Sequence, residues 1–163
     1  MICVLTDLYK KQKELDLEIA NNHHVTYEET KDKRLLALLV ELGELANATR
    51  VFKFWSFKPS ESKERVLDEF ADGLHFLLSL GLAYDYVLDS IDVEDNELDT
   101  VGAFNDSYNK IADFSAKRSL NSYILAFEAY LRILFKLGFS WEEANNAYYL
   151  KLQENHHRQE TNY

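Results

Sequence analysis

Apolar residues recur along this chain in a helical rhythm, not an alternating one. Over Leu5 to Asn21 they fall at Leu5, Leu8, Leu15 and Ile19, the i, i+3, i+7 spacing of an amphipathic helix. Gln12 stands inside that stripe, where an apolar residue belongs. Thr26-Tyr-Glu-Glu29 reads as a capping box, a Thr N-cap with Glu at N3, and opens a second helix expected to reach about Phe52. An aromatic and basic loop, Lys53 to Pro59, comes next. Pro59 and Ser60 punctuate the start of a third helix, expected to end near Leu82. The stretch Asp85 to Asp99 carries seven acids and no base and reads as a solvated loop or connection. Helical patterning resumes over Val101 to Ala116. Ser119 to Leu137 is apolar on almost every face, so it must be buried on more than one side, at the centre of a bundle or at a subunit interface. Gly138 suits a C-cap, and Ser140-Trp-Glu-Glu143 is a second capping box. The last helix leads into a polar tail ending at Tyr163. No repeat or low-complexity linker interrupts the pattern. The expectation is one all-α domain over residues 1–163, a helical bundle of five to six helices.

Composition agrees with that reading and narrows the partners. One proline and five glycines in 163 residues leave few enforced helix breaks. The net charge of −10 argues against nucleic acid as a partner, because a duplex binder needs a basic face. An anionic nucleotide remains compatible if metal ions stand between it and the protein. Cys3 is the only cysteine, so no disulfide forms within the chain. Lys10, Lys11 and Lys13 interrupt any signal-like apolar run, and no uncharged stretch reaches membrane-spanning length. A soluble, cytoplasmic protein with no membrane partner is expected.

The informative residues are acids set within apolar helical runs. Between Arg34 and Arg50, Glu41 and Glu44 are the only charges. Three residues turn a helix by about 300°, so the two carboxylates share a face. The third helix repeats the arrangement with Glu69 and Asp72, followed by a run that is apolar except for His75. Desolvated carboxylates are costly and repel one another, and neither run supplies a base. A divalent cation resolves the conflict, and oxygen ligands without cysteine suit Mg²⁺ or Mn²⁺. Asp68, one position off that face, reads as a surface acid. A di-iron bundle would need two Glu-x-x-His elements. Glu154-Asn-His-His157 has the spacing but sits in the polar tail, and Asp72-Gly-Leu-His75 has it only with Asp in place of Glu.

Glu41-x-x-Glu44 followed by Glu69-x-x-Asp72 resembles the all-α NTP pyrophosphatase superfamily, which includes MazG-like enzymes and the dimeric dUTPases. The neighbouring blocks resemble specifically the dimeric dUTPases of bacteria and their phages. These are Asn47-Ala-Thr-Arg-Val-Phe-Lys-Phe-Trp-Ser56, Asp72-Gly-Leu-His-Phe76, an N-terminal block with Gln12, Leu15, Asp16 and Ile19, and a C-terminal block with Lys151, Asn155, Arg158, Gln159 and Tyr163. The resemblance implies that Glu41, Glu44, Glu69 and Asp72 hold Mg²⁺, two or more ions per site, with Mn²⁺ as a substitute. It implies that Gln12, Asn47, Trp55 and His75 help form a deoxyuridine pocket. It implies that Lys151, Asn155 and Arg158 contact phosphates while Tyr163 closes the site. Lys53 reads either as a phosphate contact or as a solvated loop residue.

The implied reaction is hydrolysis of dUTP, and of dUDP in some members, by a homodimer. Such chemistry is mostly positioning and charge neutralisation, with one acid free to act as general base; Glu44 is the residue favoured for it. Two other functions compete. One is a MazG-like pyrophosphohydrolase of another nucleotide such as dCTP. The other is a non-catalytic helical interaction protein, against which the intact acid quartet argues. No pattern in the acidic stretch specifies a protein inhibitor or repressor.

Overall fold

The computed structural model describes residues 1–163. A short strand β1 (Ile2–Val4) leads into α1 (Thr6–His23), α2 (Tyr27–Thr49) and α3 (Lys63–Tyr84). A second strand β2 (Ser90–Asp92) follows, then α4 (Thr100–Lys117), α5 (Leu120–Leu137) and α6 (Trp141–Glu160). Six helices in one bundle match the all-α expectation. No helix is long and apolar enough to cross a membrane.

Local chemistry explains most boundaries. Both expected capping boxes form: Thr26 with Glu29 starts α2, and Ser140 with Glu143 starts α6. A third, Ser119 with Ser122, starts α5. Gly138 ends α5 in the left-handed conformation, φ 69°, where a glycine carries no Cβ penalty.

Four expectations need correction. The second helix stops at Thr49 rather than Phe52, because Arg50 turns left-handed. Its guanidinium then reaches the Lys58 carbonyl and the Ser56 hydroxyl and folds the aromatic loop back. The third helix starts later than Pro59–Ser60, since Ser62 is the residue that caps it through the Arg65 amide. The acidic stretch is not all loop. Ser90–Asp92 pairs antiparallel with Ile2–Val4, Cys3 opposite Ile91, and the two inward side chains join the core. Nor is the far end a polar tail, for α6 continues to Glu160.

α2 and α3 pack along each other, α4 and α5 form a second pair, and α6 lies against α3 and α1. α5, apolar all round, finds its burial within a single chain. Tyr123 and Tyr130 on it are fully buried, and their hydroxyls donate to the carbonyls of Leu77 and Phe70 on α3. Each donation satisfies a group that would otherwise be orphaned in the core. Gly73 makes the second contact feasible, since a Cβ there would run into the Tyr130 hydroxyl. The result is a rigid α3 held between α2, α5 and α6, with both ends of its polar sequence aimed at one cavity.

Candidate active site

The cavity, of about 240 Å³, lies between α1, α2, α3 and α6. α1 contributes Gln12, Leu15, Asp16 and Ile19, and α2 contributes Arg34 and Glu41. α3 brings Asp72, His75, Phe76 and Ser79. α6 and the terminus bring Asn155, Arg158, Gln159 and Tyr163.

At one end the acids converge. Glu41, Glu69 and Asp72 each offer an oxygen, all within 4.8 Å of one another. Adjacent helices and the i, i+3 spacing on α3 produce this placement, because α2 and α3 run side by side with these faces opposed. Glu44 stands apart from the trio and is exposed, but its charge still raises the pKa of both Glu41 and Glu69.

Burial pushes the Glu41 carboxyl up to about 7, with the charges of Asp72, Glu69 and Glu44 adding to the effect. Only Lys151 acts against it there. Glu69 is likewise raised by burial, opposed by Arg65, which pairs with it one turn away. Asp72 is raised by burial and pulled back by Lys151. The Lys151 ammonium is buried and lies 2.7 Å from Asp68 and 3.0 Å from Asp72, with Glu154 at 3.5 Å. Positive charge therefore does reach the acids, from α6 and from Arg65, neither of which lies inside the apolar runs. Asp68 is not a bystander on the surface: it is half-buried and bridges Lys151 and Arg65, the latter at 2.7 Å.

At the other end the polar groups are matched. Gln12 is buried and donates from Nε2 to Asp16 at 2.9 Å. Its Oε1 meets His75 Nδ1 at 2.6 Å and the Tyr148 hydroxyl at 3.1 Å. Asp16 also receives Tyr27 at 2.9 Å, Ser79 at 2.8 Å and Arg34 at 3.4 Å. Arg34 packs over the Tyr27 ring and donates to Ser79 as well. His75 stacks on Tyr148, ring centroids 4.1 Å apart, and burial pulls its pKa down to about 3, so the ring is neutral.

On α6, Arg158 bonds Glu154 and lies 4.8 Å from the centroid of the Tyr163 ring; Asn155 is beside it. Tyr163 is 85 % exposed at the rim. Of the expected site residues, the fold thus brings Gln12, Glu41, Asp72, His75, Asn155, Arg158 and Tyr163 onto one cavity, with Glu69 and Lys151 against the acid end. Asn47, Lys53 and Trp55 do not line it. Asn47 is exposed on the last turn of α2, and Trp55 is 65 % exposed in the loop beyond, edge-on to Phe52 and Phe54.

Sequence reasoning assigned no role to Arg34, Ser79 or Tyr148, and only a motif position to Asp16. Asp16 had a readable signal, for it lies i+4 from Gln12 on the same helix face. Arg34 and Tyr148 had none. A base at the edge of an apolar run and a tyrosine on a weakly amphipathic helix look like ordinary surface and core residues.

An all-α bundle whose adjacent helices set paired carboxylates at the mouth of a base-sized cavity defines an all-α nucleoside triphosphate pyrophosphatase. The family model described as dUTPase matches residues 4–163, and the chain belongs to that family, as an enzyme of the dUTP diphosphatase kind. No curated protein matches it.

Proposed function

We propose that the chain hydrolyses dUTP with water to dUMP and pyrophosphate, and dUDP to dUMP and phosphate, in dependence on Mg²⁺. The observation that carries this is the carboxylate trio, its oxygens within 4.8 Å, opening on the cavity that also holds Gln12 and His75. The donor set fits the ion: three clustered carboxylates, oxygen only, one of them without a cationic partner of its own and pushed to a pKa near neutrality. Glu41, Glu69 and Asp72 would hold it, with Glu44 completing the quartet, and Mn²⁺ would substitute. When bound, divalent ions supply charge neutralisation of the phosphates and acidify an attacking water.

The chain's own residues do the rest. The cavity is smaller than the roughly 300–1,000 Å³ of a drug-sized ligand site, so it suits a base and sugar and leaves the phosphates at the acid end. Arg158 and Asn155 at the rim are placed to receive phosphate oxygens, the guanidinium fork by paired donors. Lys151 lies beside Asp72 and adds positive charge where phosphates would approach. Tyr163 at the rim would close over them. Asn47 and Trp55 keep their expected part in the substrate site from the family resemblance, and Lys53 its reading as a phosphate contact. A homodimer accords with the exposed apolar surface of Leu36 and Val40 on α2 and of Phe54 and Phe57 in the loop; sedimentation would measure it.

The test is pyrophosphate release from dUTP, dCTP, dTTP and UTP at equal concentration, with Mg²⁺, Mn²⁺ and EDTA arms. Metal-dependent release from dUTP alone supports the reading. Release from another nucleotide would keep the metal site and overturn the base assignment. Silence on all four would favour a non-catalytic protein.

A further inference from the structure

The matched end of the cavity contains a chain of hydrogen bonds whose directions are all dictated from Asp16. Four donors converge on its buried carboxylate: Tyr27 and Ser79 on Oδ2, Gln12 and Arg34 on Oδ1. A carboxylate so surrounded only accepts, so the Gln12 amide must turn its nitrogen toward it. Gln12 Oε1 then faces His75 Nδ1 at 2.6 Å, and an amide oxygen cannot donate. The ring proton therefore sits on Nδ1. The Tyr148 hydroxyl has two acceptors within reach, this oxygen at 3.1 Å and the Leu8 carbonyl at 3.3 Å, and reinforces that orientation along the shorter contact; its ring, tilted 20° from the imidazole, holds the imidazole plane. A neutral imidazole has a single N–H, so Nε2 is left as a bare lone pair. That atom is buried, has no hydrogen-bond partner, and belongs to a residue lining the cavity. A polar atom in that condition is costly unless a ligand meets it.

We propose that Asp16 and Tyr148 are positioning residues that act through Gln12 to set the tautomer of His75, reserving its Nε2 as an acceptor for one donor of the bound nucleoside. This deepens the dUTP reading and rests on it for the ligand's identity. The donor is an N–H or O–H: the ring imide of the base or a hydroxyl of the sugar. A pyrimidine that presented a bare ring nitrogen at this point would set two lone pairs against each other. The pocket would thus discriminate by a proton on the far side of the His75 ring, held there from Asp16 through Gln12.

The deciding measurement is a long-range ¹H–¹⁵N correlation spectrum of the His75 ring in the labelled, nucleotide-free protein. The expected signature is a protonated Nδ1 and a pyridine-like Nε2. A protonated Nε2, or an even mixture, would overturn the proposal whatever the substrate is. Saturating dUMP should then move the Nε2 resonance, and an unmoved resonance in the bound state would overturn the acceptor role. Loss of that shift with N3-methyl-dUMP assigns the donor to the base, and loss with 2′,3′-dideoxyuridine monophosphate assigns it to the sugar. Failure of dUMP to bind would count against the dUTP reading and leave the tautomer result standing on its own.

Asp16→Asn tests the positioning role, since the neutral amide can donate as well as accept. A second tautomer should appear, and KM for dUTP should rise about tenfold with kcat within about threefold. A folded variant with the original tautomer and unchanged KM would refute it. If the variant does not fold, Tyr148→Phe, which keeps the stacked ring, is read the same way.

Discussion

At one end of the cavity three carboxylates crowd within 4.8 Å with too little positive charge among them; at the other, Asp16, Gln12, Arg34, Ser79, Tyr27 and Tyr148 give every donor an acceptor. Both clusters are largely buried, both sit on the same α1–α3 framework, and both consist of groups that are expensive to desolvate. The acid end is frustrated, and its members respond by shifting toward protonation. The network end is satisfied, and its one loose atom is His75 Nε2. A satisfied cluster adds rigidity and shape. A frustrated one stores an affinity that only a ligand of opposite charge can release. The pocket therefore combines a fixed template with a reactive mouth, and the two should respond differently to mutation.

The largest effect is expected at the satisfied end. Arg34→Met removes one partner of a buried ion pair and should cost about 3–5 kcal/mol in urea unfolding, whereas Arg34→Met with Asp16→Asn, which leaves no unpaired charge and still accepts from Tyr27 and Ser79, should be milder. Equal losses in the single and double variants would break the contrast. At the frustrated end the cost falls on turnover. Glu41→Gln and Glu69→Gln should each lower kcat by about 10²–10³, while the metal-free protein melts no lower than the parent. Full activity in either variant would remove that carboxylate from the metal site.

Gly73 lies between the two ends. Gly73→Ala should destabilise by about 1–3 kcal/mol, because the new methyl meets the Tyr130 hydroxyl. Adding Tyr130→Phe should restore part of the loss if that contact is the cause.

The smallest effect is with pH. Glu41, its folded pKa raised to about 7, holds a proton that the unfolded chain has already released, so the metal-free protein should gain stability as pH falls from 8 toward 6.5. His75 works the other way: buried and neutral down to about pH 3, it favours the unfolded state once pH drops below about 6.5. Below about pH 6.5 the two opposing protons cancel, so the melting temperature without metal should rise as pH falls from 8 and then level off. The stabilisation conferred by Mg²⁺ should grow with pH as its ligands lose protons. Glu41→Gln should flatten the alkaline side of that curve.

Much of this was readable in the sequence, for reasons that differ by residue. Glu41, Glu69 and Asp72 stood out because a charge within an apolar run contradicts its surroundings, and Gln12 did so inside its stripe. Capping boxes at Thr26 and Ser140 located two helix starts because their chemistry is confined to four residues. What was hidden depends on distant contacts. Lys151 lies eighty-two residues from Glu69, and nothing in its neighbourhood foretells that it reaches Asp68 and Asp72. The strand pair was missed although Ile91 and Val93 alternate with exposed acids, because three-residue strands are too short for that period to rise above a run of charge. Asn47 at the end of α2 and the loop residues Lys53 and Trp55 matched the family by sequence yet stand away from the cavity of the single chain.

α6 has a consequence for how the protein reaches its working state. The helix carries Tyr148, Lys151, Asn155 and Arg158, so the template, the acid end and the rim all borrow from one element far in sequence from the helices it completes. Helical hairpins such as α2–α3 and α4–α5 form from near neighbours, but α6 must dock back on α1 and α3 across most of the chain. The cavity is therefore complete only once this long-range docking has occurred. A bundle whose other helices have paired still has no pocket until α6 docks.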